Sequence, residues 1–176
     1  MTLDVRVADE RDAEALHELA ALTFPLACPP HLPTSAVDAF IAAHLSAASF
    51  RGHCANPEHT VLVAENGGEP VGYALVKLGR PEAPDVLAAV PDGPWCELSK
   101  LYVHPDSHGA GVAGELLDAV LATARRASVA TVWLGVNQHN RRANAFYAKH
   151  ELELVGSRRF VVGDQVEDDF VRARRP

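Results

Sequence analysis

The segment that most limits what this chain can become lies at its centre. Cys96 to Val103 reads as a strand, His104 to His108 as a short loop, and Gly109-Ala110-Gly111 opens a segment of helical spacing. In that helix Val112, Leu116, Ala119, Val120 and Ala124 form one apolar side. Glycines at such a junction let the backbone turn tightly and present consecutive N–H groups. The first turn of a helix has N–H donors without internal acceptors, and its aligned dipoles add partial positive charge. Strand, glycine loop and helix together therefore make a diphosphate cradle, and His108 beside it adds a donor near neutral pH.

Gly109-x-Gly111-x-x-Gly114 also satisfies the fingerprint of dinucleotide-binding enzymes, but its surroundings argue against that reading. Five residues, His104 to His108, separate the strand from the first glycine, where a tight junction is required. About twenty residues beyond Gly114 lies Leu134 in an apolar strand, and no acid follows before Glu151 to hold a ribose. The Gly-Lys-Ser/Thr ending of a nucleoside-triphosphate loop is missing too.

Around this centre strands alternate with helices. Leu3, Val5 and Val7 alternate as a first strand, and Asp9 caps a helix predicted to run to about Ala21. A Pro-rich break from Pro25 to Pro33 precedes a second predicted helix from Ser35 to Ala48. Thr60 to Glu65 and Val71 to Leu78 read as a hairpin across Asn66-Gly67-Gly68, and Gly79 to Pro94 as a loop. Ala130 to Val136 is apolar enough for a central strand, Asn140 to Lys149 is a short helix, and Leu154 to Val162 and Val166 to Arg174 flank a Gly163-Asp164 turn. This pattern predicts one layered α/β domain over residues 1–176, with a mixed sheet.

Composition narrows the function. A chain of 176 residues with 48% hydrophobic and 22% charged residues is long enough to bury its own core. Acids exceed bases by seven, which argues against a nucleic-acid partner. No apolar run approaches a membrane span and no leader pattern opens the chain, so neither a membrane nor export is expected. Cys28, Cys54 and Cys96 are odd in number and widely spaced, which fits a reducing cytoplasm. His53, Cys54 and His59 lack a fourth ligand and a metal-site spacing, so no metal is expected. Residues 1–88 hold 12 acids and 5 bases, a net of −7, whereas residues 89–176 hold 11 of each. An acidic first half attracts a cationic partner, although acids on a solvated helix also merely keep a protein soluble.

Val103-His104-Pro105-Asp106-Ser107-His108-Gly109-Ala110-Gly111-Val112-Ala113, followed by Leu116-Leu117, resembles the central motif of the GCN5-related N-acetyltransferases, the GNAT superfamily. Downstream, Asn140-Arg141-Arg142-Ala143-Asn144-Ala145-Phe146-Tyr147 resembles the family's Asn-x-x-Ala-x-x-Phe-Tyr element. The resemblance implies a three-layer α-β-α sandwich around a mixed, mostly antiparallel sheet, the acyl-CoA N-acyltransferase fold. It implies acetyl-CoA as co-substrate, held by His108, Gly109, Ala110, Gly111, Val112 and Ala113, with backbone groups of Leu101 and Val103 pairing along it. Asn140 is expected to cap its helix, hold the coenzyme, or both. Arg141, Arg142, Arg158 and Arg159 are expected to be solvated or to face phosphate. Two positions depart from the family pattern. His108 stands where Gln or Arg is usual, and His150-Glu151-Leu152 replaces a Leu-Gly-Phe-like turn. Without that glycine either the turn is reshaped or Glu151 takes a left-handed conformation, while Leu152 still fills the core.

Acyl transfer to an amine requires that the ammonium lose a proton, the thioester carbonyl be polarised and the leaving thiolate be protonated. By resemblance Tyr147 is the acid for the thiolate; packing alone is the other reading of a tyrosine there. Glu97 matches the family's strand acid, and as base, as anchor for a cationic substrate or as a structural pair it fits the same position. Cys96 has no neighbouring His to activate it, so direct attack in a ternary complex is expected. Tyr147 and Glu97 together favour catalysis over a coenzyme-binding sensor. The acceptor expected is a small cationic amine, because Val132 to Asn140 and Phe160 to Asp164 are similar to bacterial spermidine/spermine acetyltransferases. A protein or peptide amine is the alternative acceptor, and a homodimer is compatible with the sequence.

Overall fold

Alternation and turn chemistry build the first half of the sheet. β1 (Leu3–Val7) pairs antiparallel with β2 (His59–Asn66), and the chain returns as β3 (Glu69–Leu78). Gly67 and Gly68 join the last two with φ of +62° and +90°, a geometry that glycine adopts without strain. β4 (Trp95–Val103) adds antiparallel to β3, and β5 (Thr131–Asn137) pairs parallel to β4. The closing hairpin of β6 (Glu153–Val162) and β7 (Gln165–Arg174) sets β7 against β5. The order is β1-β2-β3-β4-β5-β7-β6, a mixed and mostly antiparallel sheet. This computed structural model describes residues 2–176.

Helices cover both faces, as a three-layer α-β-α sandwich requires. On one face α5 (Val112–Arg126) buries Val112, Leu116, Leu117, Val120, Leu121 and Ala124 against Leu62, Val76, Leu98 and Leu134. Full burial of each leucine contributes about 1.5–3 kcal/mol. α6 (Arg141–Lys149) joins the same core through Tyr147, with Leu152 wholly enclosed beyond it. On the other face α1 (Ala13–Ala27), α2 (Thr34–His44) and α3 (Ala47–Ala55) pack Leu16, Phe24, Ile41 and Phe50 on Val61, Val63, Tyr73 and Leu75.

Three local expectations change. The first helix continues past Ala21 to Ala27, with Pro25 in its last turn; there proline removes one bond, and the N–H of Cys28 still reaches the Pro25 carbonyl at 3.3 Å. The helix expected over 35–48 is two helices, broken at the enclosed Leu45. His17 Nδ1–H donates to the Leu45 carbonyl at 2.8 Å, and Ser46 Oγ caps α3 by accepting from the N–H of Ser49 at 3.1 Å. The loop expected over 79–94 contains α4 (Pro84–Ala89), which starts on proline and buries Val86.

A bulge in β4 opens the sheet. Leu75 pairs with Lys100 but Val76 with Leu98, so Ser99 is the extra residue. β4 and β5 pair only from Trp95 to Glu97 against Thr131 to Trp133, and beyond these they diverge into a cleft. The bulge also resets the side-chain alternation. Cys96, Leu98, Leu101 and Val103 contribute to the α5 core, while Tyr102 packs on the α1–α3 side.

Candidate active site

The glycine loop lies at the open end of this cleft. Gly109 and Gly111 have φ of +83° and +86°, and Gly111 caps α5 without any side-chain hydrogen bond. The N–H groups of the first turn, including Val112 and Ala113, thus lie at a positive helix end that no side chain closes, the chemistry a diphosphate needs. A single turn, Pro105–Ser107, links β4 to the loop, and the Ala110 N–H folds back to the Ser107 carbonyl at 3.3 Å.

His108 is placed differently from a free phosphate donor. Its Nε2–H donates to the Val103 carbonyl at 3.0 Å, and its Nδ1 accepts from Arg142 Nη1 at 2.9 Å. The ring therefore ties the end of β4 to the start of α6 and holds Arg142 at the loop. The N–H of His104 donates to the Val71 carbonyl, so by alternation the backbone groups of Leu101 and Val103 point away from β3, into the cleft. Leu101 keeps its pair for a ligand, whereas the Val103 carbonyl already accepts from His108.

At α6, Asn140 Oδ1 accepts from the Ala143 N–H at 3.0 Å and caps the helix. Asn144 Nδ2 donates to the carbonyls of Asn137 and Asn140, both at 3.0 Å, which braces the turn. Asn140, Arg141 and Arg142 line a hollow of ≈ 490 Å³ together with Cys28 and His31 from the Pro-rich connection. His31 Nε2 meets Glu167 Oε1 at 2.5 Å and fastens that connection to β7. Tyr147 is 8% exposed, and burial alone holds its phenol protonated well above the usual range. Tyr147, Cys28 and Asp169 all act electrostatically on the phenol of Tyr102, itself raised chiefly by burial. Glu151 takes the left-handed conformation at φ +63°, and Leu152 is wholly buried. Cys96 is fully enclosed, and burial with the charge of Glu97 pushes its thiol up to about 12, far from a usable nucleophile.

Glu97 faces the other side of β4, toward an arginine expected to be solvated or to face phosphate. Arg158 Nη1 lies 3.5 Å from Glu97 Oε1, and Arg158 Nε lies 3.4 Å from Asp169 Oδ2. Its guanidinium stacks over Trp133 at 5.5 Å and Phe160 at 5.9 Å. A Cβ on Gly135 would come within 2.3 Å of Arg158 Nε, so this glycine makes room for the arginine to cross β5. Asp169 is 4% exposed, and burial lifts its carboxyl to about 6 despite the opposing charge of Arg158. Lys100, on the strand of Glu97, is pushed down to about 8, first by burial and then by Lys77. Sequence reasoning missed Arg158, Asp169 and Lys100 as site residues; the signal was a run of charges, Glu97 and Lys100, in an otherwise apolar strand.

His53 and His59 meet through their Nδ1 atoms at 2.9 Å, and burial pushes His53 down to about 4, so this is a neutral pair in which one ring donates to the other. Among the described residues no group of three His, Cys, Asp or Glu side chains is placed to hold a metal, and no helix is long and apolar enough to cross a membrane.

The chain is similar to known proteins. The model of the acetyltransferase (GNAT) family matches residues 13–151. An uncharacterized N-acetyltransferase of Mycobacterium tuberculosis is 43% identical over 163 residues, which cover 93% of this chain and 97% of that protein. One of Lactobacillus delbrueckii subsp. lactis is 27% identical over 120 residues, covering 68% of this chain and 66% of its own. Among solved structures, the PaiA N-acetyltransferase of Thermoplasma acidophilum in complex with coenzyme A superposes with a TM-score of 0.77 at 17% identity, over 100% of both chains. The ribosomal-protein-S18-alanine N-acetyltransferase of Escherichia coli does so at 0.70 and 18%, over 99% of this chain and 94% of that one. The chain belongs to the GNAT family of acetyltransferases, enzymes whose co-substrate is acetyl-CoA.

Proposed function

We propose that the protein transfers the acetyl group of acetyl-CoA to a primary amine by direct attack in a ternary complex. The observation that carries this reading is the divergence of β4 from β5. Supporting it are the uncapped helix end, the free backbone of Leu101, the phenol of Tyr147 acting on Tyr102 of β4, and Glu97 on the opposite face of that strand. Gly109, Ala110, Gly111, Val112 and Ala113 hold the diphosphate of the coenzyme with Arg142 beside them, and Leu101 pairs with its arm as an added strand would. Glu97 removes the proton of the acceptor ammonium, directly or through water. Tyr147 donates its proton to the departing thiolate, a role that suits a phenol burial keeps protonated.

The polyamine acceptor expected from sequence finds no carrier in the cleft. Of the twelve acids in residues 1–88, four pair locally: Asp9 with Arg11, Asp12 and Glu65 with Arg6, and Glu14 with Arg51. Their field is offset where they stand. Initial rates with acetyl-CoA and an amine both varied test the proposed order: intersecting reciprocal plots are expected, and parallel plots would point to an acetylated enzyme and overturn direct attack.

A further inference from the structure

The face of the sheet that holds Glu97 also holds lysines that no carboxylate among the described residues pairs. Lys77 lies across from Glu97 in the β3–β4 register, and Lys100 follows Glu97 across the Ser99 bulge. Arg158 reaches in from β6. Two carboxylates, Glu97 and Asp169, stand among these three cations, and Arg158 lies between the two. Both carboxylates are engaged by Arg158, so neither pairs with a lysine. His53 and His59 add no charge, being a neutral pair.

Among the described residues neither Lys77 nor Lys100 has an ion-pair partner; Lys77 stands across from His59 in the β2–β3 register, whereas Lys100 lies past Glu97, where β4 leaves β5. The hydrogen bond that the Lys100 Nζ makes is a 3.5 Å contact to Ser99 Oγ. Burial and Lys77 push its pKa down, Glu97 opposes them more weakly, and Arg158 pushes it down further. Lysines are rarely buried unless paired, since desolvating the ammonium is costly. Lys100, Glu97 and Arg158 are nonetheless only partly covered, so a ligand reaches them. Phe160 of β6, under the Arg158 guanidinium, meets Phe40 of α2 at 5.9 Å, so the charged group has an apolar neighbour.

We propose that the acceptor is a small amine that itself carries a carboxylate, an amino acid or a close analogue, with Lys100 holding the carboxylate while the ammonium group faces Glu97. This rests on the acetyltransfer reading of the same cleft. A single carboxylate suits the one lysine on offer there, whereas a phosphate dianion would bring more negative charge beside Glu97 and Asp169. The acceptor is therefore zwitterionic rather than polycationic.

The test measures kcat/KM with saturating acetyl-CoA for α- and ω-amino acids, their carboxamides, aminoalkyl phosphates and spermidine. An amino acid is expected to exceed its matched amide by about tenfold or more, the weight of one charged hydrogen bond. Lys100→Met is expected to collapse that ratio toward one, and Lys100→Arg to restore most of it. Amides or spermidine used as well as the amino acids, phosphates preferred over carboxylates, or a ratio unchanged in Lys100→Met would each overturn the carboxylate assignment while leaving acetyltransfer standing. Release of free coenzyme with none of these amines would overturn the small-amine assignment, whereas failure to bind acetyl-CoA in calorimetry would remove the acetyltransfer reading and this inference with it.

Discussion

The guanidinium of Arg158 lies 3.5 Å from the carboxylate of Glu97, tying the final hairpin to the strand that runs into the glycine loop. Glu97 is thereby oriented by a residue from a distant part of the chain. Asp169, also on Arg158, draws the same guanidinium the other way. The shared cation keeps Glu97 directed while leaving its contact open to exchange with a substrate ammonium.

Gly135→Ala tests that arrangement from outside the charged set. The added Cβ displaces the flexible end of Arg158 rather than the backbone, so the fold should hold while Glu97 loses its partner. Catalytic efficiency is expected to fall by about tenfold with a melting temperature within a few degrees of the parent, as for loss of one charged hydrogen bond of about 1.5–3 kcal/mol. Unchanged kinetics would mean that the contact does not orient Glu97.

Tyr147→Phe removes a proton donor and little else, because the ring stays packed in the core. Turnover is expected to drop by about 10²-fold, within the usual span for general acid catalysis. Affinity for coenzyme A, measured by calorimetry, should stay within about twofold, since the phenol acts only as thiolate charge develops. Equal losses in binding and turnover would assign Tyr147 to packing.

Asp169 makes stability depend on pH. Its folded carboxyl titrates near 6 against 3.8 when unfolded, so the folded state favours the protonated form. The stability this contributes is fully present below about pH 4 and is lost as pH rises through about 6. A shift of this size corresponds to about 3 kcal/mol at most. Asp169→Asn is expected to gain stability relative to the parent between pH 4 and 7 in urea titrations at each pH. A constant difference across that range would show that Arg158 offsets the burial completely.

Glu151→Gly addresses the one strained turn residue in the α6–β6 connection. At φ +63° a side chain costs about 1 kcal/mol that glycine does not. The carboxylate lost is 81% exposed and only 3.5 Å from Arg174, a pair worth little in water. Thermal melts should show the variant more stable by about 0.5–1 kcal/mol. A less stable variant would mean that the Arg174 contact outweighs the strain.

The sequence by itself determined the parts whose causes are local. Gly109 and Gly111 announce a left-handed turn ahead of a helix, and the spacing from Val112 to Ala124 states which side of α5 is buried. Asn140 caps the helix it precedes, and Glu151, where the family's glycine is missing, takes one of the two outcomes expected there. Each follows from dihedral preference or periodicity within a few residues. Only the tertiary structure decided the groove. A one-residue bulge at Ser99 determines which side of the sheet Lys100 and Tyr102 face, and a strand alternates sides too faithfully for composition to reveal such a slip. The same holds for Arg158, whose place beside Glu97 depends on the β7–β5 register and on the space above Gly135. It holds as well for the break at Leu45, whose carbonyl finds its donor on His17 of another helix. Charge pairing of this kind acts through space, so residues far apart in the chain acquire their chemistry only when the sheet brings them together.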